Sequence, residues 1–188
     1  VVERNGLRNV GVNEVIKEAG IGKALLYRYF GGLPGLVQAW GEKNQIWPDV
    51  SELAEMSNEI NSASVAAQIK RVVLHHANSL REDPLRVELL ADEFMSPTAI
   101  SEALTEIRQQ LGHEHAAIFA SNRELGEDDN RALMMVLMAA ASYLAMRAVK
   151  SPRYMGRDIG SDKDWKALLA HFERIIDSVA GEASHPEI

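Results

Sequence analysis

Apolar residues recur along this chain at helical spacing, and no segment sustains the period-two alternation of a half-buried strand. Between Asp162 and Gly181 the apolar set Trp165, Leu168, Leu169, Phe172, Ile175, Ile176 and Val179 steps by three or one along a single stripe. Ala132 to Met146 is apolar nearly all round, with Ala139-Ala140-Ala141 keeping its middle slim, so it must be covered on several sides. Val65, Ile69, Val72, Val73 and Leu80 draw one face of a further helix, with His76 at the centre of that face and His75 pointing away. Start and stop signals separate these runs. Pro34, after Gly31-Gly32-Leu33, suits a first helical turn, and Pro48 closes the run that holds Trp40 and Trp47. Asp83-Pro84 and Ser96-Pro97 each put a capping side chain before a proline, and Gly126-Glu127-Asp128-Asp129 precedes the apolar run. Ser161-Asp162-Lys163-Asp164 has the form of a capping box with aspartate in the last place, and Gly181 is expected to stop the final helix. The pattern predicts an all-α fold.

The first 47 residues differ in texture. Two short helical stretches, Val12 to Ala19 and Lys23 to Phe30, are joined by Gly20-Ile21-Gly22. Val12, Val15, Ile16, Ala19, Ile21, Leu26 and Phe30 are placed to close into a small core. Such a corner is either an ordinary helical turn or a helix-turn-helix, which presents its second helix to a DNA major groove.

Composition narrows the classes. The chain has 188 residues, 46% of them hydrophobic and 25% charged, as a soluble globular chain has. It lacks cysteine, which excludes disulfides, thiol nucleophiles and thiolate zinc sites and suits a reducing cytoplasm. Ala132 to Met146, the longest apolar stretch, would rise about 22 Å as a helix against a hydrocarbon core of about 30 Å, so no membrane span is expected. Through Gln45 six basic residues face four acidic ones, a net +2; the remaining 14 basic and 23 acidic residues give −9 of the total −7. A mildly basic head on an acidic body hints at nucleic-acid contact, although a solvated surface can show the same imbalance.

The run Glu18-Ala19-Gly20-Ile21-Gly22-Lys23-Ala24-Leu25-Leu26-Tyr27-Arg28-Tyr29-Phe30 resembles the signature of the TetR family of bacterial transcriptional regulators. Gly6, Val12, Val15, Ala19, Gly20, Lys23, Leu26, Tyr27, Tyr29, Phe30 and Leu36 fall in register with it over residues 4 to 40. The resemblance implies residues 1–47 as a helix-turn-helix DNA-binding domain and residues 48–188 as a helical ligand-binding and dimerisation domain. It also implies a full helix before the motif, of which only Val1 to Asn5 precede Gly6, so the chain is expected to begin inside that helix. Glycine stands at 11 and 22 where the family commonly has a small hydroxyl residue, and leucine stands at 25 and 33 where threonine and lysine are usual. Hydroxyls and one cation that could hold phosphate are thereby lost.

About the axis of the Lys23-to-Phe30 helix, Leu26 and Phe30 are expected to face the core, with Ala24 and Arg28 on the opposite side and Tyr27 between. The DNA-binding set is then Asn13, Gly22, Lys23, Ala24, Leu25, Tyr27, Arg28 and Tyr29. Lys23 can reach a base edge or a phosphate, and Ala24 can touch a thymine methyl. Arg28 can pair with guanine or hold phosphate. The tyrosine hydroxyls can donate to phosphate, or the rings can sit at the core edge. Asn13 can reach a phosphate.

In the body, His76 is either a satisfied core histidine or one polar group in an apolar pocket that Met134, Met138 and Tyr143 would help to line. Such a pocket would take a small-molecule effector. Ala132–Met146 and Trp165–Val179 make a natural homodimer seam, four helices joined about a two-fold axis. His113-Glu114-His115 and His75-His76 have no third ligand at recognisable spacing, so no metal and no cofactor is expected. The sequence has no glycine-rich phosphate loop and no G-x-S-x-G elbow, which argues against an enzyme. The expectation is a cytoplasmic, ligand-released homodimeric repressor of a palindromic double-stranded operator. The alternative is a helical ligand-binding protein of the same fold that does not bind DNA.

Overall fold

A computed structural model of the chain describes residue 1, residues 10–44, 46, 64–95, 98, 100–110 and 128–182. Among these residues the fold is helical apart from one two-stranded hairpin. The helices are α1 (Val12–Ala19), α2 (Lys23–Phe30), α3 (Leu33–Lys43), α4 (Val65–Glu82), α5 (Pro84–Met95), α6 (residues 100–110), α7 (Asp128–Lys150) and α8 (Asp162–Glu182). Between α7 and α8, strands β1 (Arg153–Tyr154) and β2 (Arg157–Asp158) pair antiparallel with Arg153 opposite Asp158 and Tyr154 opposite Arg157. The chain divides into two compact units, Val1–Val50 with Glu88–Glu114, and Ser51–Val87 with His115–Ile188.

In the first unit, α1 ends where Gly20 turns left-handed at φ 65° and its N–H reaches back to the Ile16 carbonyl. α2 ends the same way at Gly31, φ 70°, whose N–H bonds the Tyr27 carbonyl at 2.9 Å. Pro34 lies in the first turn of α3, as the sequence predicts. Leu26 is buried at 1% exposure, whereas Phe30 is 39% exposed and Ala19 is open to solvent, so the expected small core closes around Leu26 without them. Gly41 of α3 lies against Leu104 and Ile107 of α6, and Arg108 of α6 is paired with Glu93 of α5, Nε to Oε2 at 3.1 Å. Trp47, Pro48, Ser96, Pro97 and the His113-Glu114-His115 run lie outside the described residues.

The second unit is organised by α4, which packs against both α7 and α8. Its inner face carries Ile69, Val72, Val73, Ala77 and Leu80, all buried. From α7 come Leu137, Ala141, Ala145 and Ala148, and from α8 Trp165, Phe172 and Ile176. Polar ties run beside this packing. His76 Nε2 lies 2.8 Å from Ser142 Oγ, and Trp165 Nε1 donates to Asn78 Oδ1 at 2.8 Å. Arg81 donates to the Gly160 carbonyl and to Asp162, and its guanidinium stacks over Trp165. Lys70 is paired with Asp177 at 2.7 Å.

Four features differ from what the sequence leads one to expect. The stripe on α8 is split: Trp165, Phe172 and Ile176 are buried within the chain while Ile175 and Val179 are half exposed, so Phe172 belongs to the core and not to a seam. Gly181 does not stop α8, which runs on to Glu182. The capping box is half made: Ser161 Oγ accepts from the Asp164 N–H at 3.3 Å, but the Asp164 carboxylate turns to the Asp158 N–H and to Arg157 instead of to Ser161. The aspartate side chain is one carbon too short for the reciprocal bond of a glutamate, and the hairpin offers it nearer partners. Finally, α7 has 23 residues, and Arg131–Lys150 is long and apolar enough by length and composition to cross a membrane, which the shorter Ala132-to-Met146 run was not. This helix buries Leu137, Ala141, Ala145 and Ala148 and leaves most of its remaining surface uncovered within the chain.

Candidate nucleic-acid interface

The helix-turn-helix is built from glycine punctuation. Gly11, Gly22 and Gly32 occupy the N-caps of α1, α2 and α3, and no side chain caps any of the three. Elsewhere the helices are capped: Ser64 Oγ accepts from the Ala67 N–H, and Asp83 Oδ1 accepts from the N–H groups of Leu85 and Arg86. A Cβ built at Gly22 would meet nothing within 4 Å, so space does not require glycine there. What glycine leaves is a bare backbone at the start of α2, the end of a helix where the peptide dipoles favour an anion.

α2 is held to the rest of its unit by Leu26 and turns the remainder of its surface outward. Asn13, Gly22, Lys23, Ala24, Leu25, Tyr27, Arg28 and Tyr29 are all exposed. Seven of them therefore form one continuous surface on α2 and its N-cap, with Asn13 on α1. The outward side chains are organised in pairs. Lys23 Nζ stands 5.8 Å from the centroid of the Tyr27 ring, one turn along the helix. The Arg28 guanidinium stacks 5.0 Å from the centroid of Tyr29, and its Nη2 donates to the Tyr29 hydroxyl oxygen at 3.1 Å. Tyr29, which spacing alone leaves open between core edge and DNA, is 66% exposed. Sequence reasoning missed the coupling of Arg28 to Tyr29, because neighbours in sequence diverge by about 100° on a helix and only a long, flexible guanidinium closes that gap.

The residues singled out for a ligand lie on two helices that pack together. His76 is half buried and bonded to Ser142, one turn beyond Met138 on α7. Met134 and Met138 are half buried, and Tyr143 turns aside to meet Tyr154 of the hairpin edge-on, centroids 6.0 Å apart. Among the described residues no group of three or more His, Asp or Glu side chains is arranged to hold a metal ion.

No curated protein and no solved structure matches the chain. Residues 1–39 match the family described as bacterial regulatory proteins, tetR family, a match that takes in α1, α2 and most of α3. Residues 1–39 thus carry the N-terminal helix-turn-helix module of the tetR family of bacterial regulatory proteins.

Proposed function

We propose that the protein is a cytoplasmic homodimeric repressor that places α2 of each protomer in successive major grooves of a palindromic operator and is released by a small molecule. The observation that carries the reading is the outward surface of α2, where two cations and two tyrosines stand exposed on a helix held from behind by Leu26. Lys23, Ala24, Leu25, Tyr27, Arg28 and Tyr29 would meet the duplex from α2, with Gly22 and Asn13 contributing backbone and side-chain donors beside it. The dimer seam would run along α7, where exposed Ala132, Met135, Val136 and Ala139 recur at helical spacing, with Ile175 and Val179 of α8 as its second row. An apolar effector would enter residues 48–188 beside His76, Met134, Met138 and Tyr143. It would act by favouring a dimer whose two α2 helices no longer fit successive grooves, which requires unequal affinity for the two states.

The test is selection from a random duplex pool with the full chain, followed by affinity measurements over a salt series. Enrichment of a two-fold symmetric site with steeply salt-dependent binding is the expected result. Absence of salt-sensitive binding to any duplex overturns the reading and leaves a ligand-binding protein of the same fold.

A further inference from the structure

We propose that α2 grips the two phosphate strands of the groove with its two cation–aromatic pairs, one on each flank, and reads bases only through the narrow strip between them. The proposal rests on the DNA-binding reading above. Around the helix axis Leu26 and Phe30 share one side, and the opposite side, toward the groove floor, centres on the Cα of Arg28. Lys23 and Tyr27, one turn apart, occupy one flank. Arg28 springs from the centre, but its guanidinium does not stay there. It swings onto Tyr29 on the other flank, and is held by the stacked ring and by the 3.1 Å bond to the hydroxyl.

That bond decides which groups remain to meet the duplex. The Tyr29 oxygen accepts from Arg28, so its own hydrogen is free to donate outward. A guanidinium edge beside an O–H donor presents convergent hydrogens suited to the oxygens of one phosphodiester. On the opposite flank the Lys23 ammonium stands over the Tyr27 ring and offers phosphate a cation, with the ring's hydroxyl as a second donor. A major groove about 12 Å wide is walled by two phosphate strands, so donors on opposite flanks of one helix address opposite strands. Between them stands Ala24, exposed and small; a methyl there suits contact with a thymine methyl. The arrangement predicts affinity dominated by phosphate and a shallow base preference centred on thymine.

The experiment measures affinity of the full chain for the enriched duplex and for its single-base variants across a salt series. It compares the unmodified protein with Arg28→Ala, Tyr29→Phe, the double variant and Ala24→Gly. These positions are exposed, and circular dichroism checks that each variant keeps its helices. Arg28→Ala is expected to lower affinity about 10- to 100-fold on every duplex alike and to reduce the salt slope by about one. Tyr29→Phe should weaken binding uniformly and add little once Arg28 is gone, because the hydroxyl then has nothing to position it. Ala24→Gly should relax preference at one position per half-site. If Arg28→Ala instead relaxes a base position with the salt slope unchanged, Arg28 reads a base and the clamp is overturned, while the DNA-binding reading stands. If the unmodified protein binds no duplex in a salt-dependent way, that reading fails and takes the clamp with it.

Discussion

Gly35→Ala is the substitution that tests the geometry of the recognition corner most directly. Gly35 lies in the first half of α3, where the helix passes over the end of α2. A Cβ at this position would overlap the carbonyl oxygen of Phe30 and come within 3.0 Å of the carbonyl carbon. Both obstructing atoms are backbone, so no rotamer change can relieve the clash; α3 or the end of α2 must shift. Overpacking of this kind costs about 1–3 kcal/mol, and replacing a mid-helix glycine with alanine returns about 1 kcal/mol in helix propensity. The expected net is a loss of up to about 2 kcal/mol, falling on the segment that sets the pose of α2. Gly41→Ala is the internal control, because its Cβ would meet only the methyl ends of Leu104 and Ile107, at 2.5 and 3.3 Å. Those side chains can turn aside, and the propensity gain should offset most of the cost. Urea unfolding of the full chain, with amide exchange across α2 and α3, separates the two variants. A Gly35→Ala protein as stable as its parent, with unchanged exchange in α2, would refute the close approach of α3 to the Phe30 carbonyl.

Other outcomes follow from burial and charge. Phe172→Glu, at a site 6% exposed, should unfold the second unit at a cost of several kcal/mol. Val136→Glu, at a site 66% exposed, should leave helicity intact and convert the proposed dimer to monomer in light scattering. A folded Phe172→Glu monomer would contradict that assignment of inner and outer faces. The hydrogen bond from Arg81, reinforced by its charge, holds the Asp162 carboxyl below the usual carboxylate range. A group whose pKa is lowered on folding lends stability above its unfolded value, about 3.9, and loses it as pH falls through the folded value. Asp162→Asn should therefore remove a small acid-sensitive part of the unfolding free energy, one lost from the parent below about pH 4. An unaltered acid limb would deny the pair a role.

The helix-turn-helix was legible in the sequence to the residue, because glycines that adopt positive φ end both helices and nothing else in the motif could end them. The capping aspartate before Pro84 and the proline in the first turn of α3 were readable for the same local reason. Three features were not. Seven apolar positions on α8 span too wide an arc for periodicity to say which side meets α4 and which stays outside. The hairpin is two residues per strand, below any alternation signal, and places Met155 at φ 49°, a conformation a methionine gives no reason to expect. His76 could be assigned to an apolar face, but its partner Ser142 lies 66 positions away on another helix, and only the packing of α4 on α7 joins them.

The polar ties of α4 also limit how the second unit can move. Lys70, Asn78 and Arg81 engage Asp177, Trp165 and Asp162 in reverse order along an antiparallel neighbour, while His76, between them, engages Ser142 on α7. A slide of α4 by one helical turn, about 5.4 Å, would break every one of these bonds together, and Glu173, one turn from Asp177, would offer a new partner to Lys70 alone among the α8 ties. These ties together oppose ratcheting between alternative registers. If an effector acts through this unit as proposed, a tilt or rotation of three helices moving as one body would keep these bonds, and the lever arm of that rotation would set how much reaches its far end.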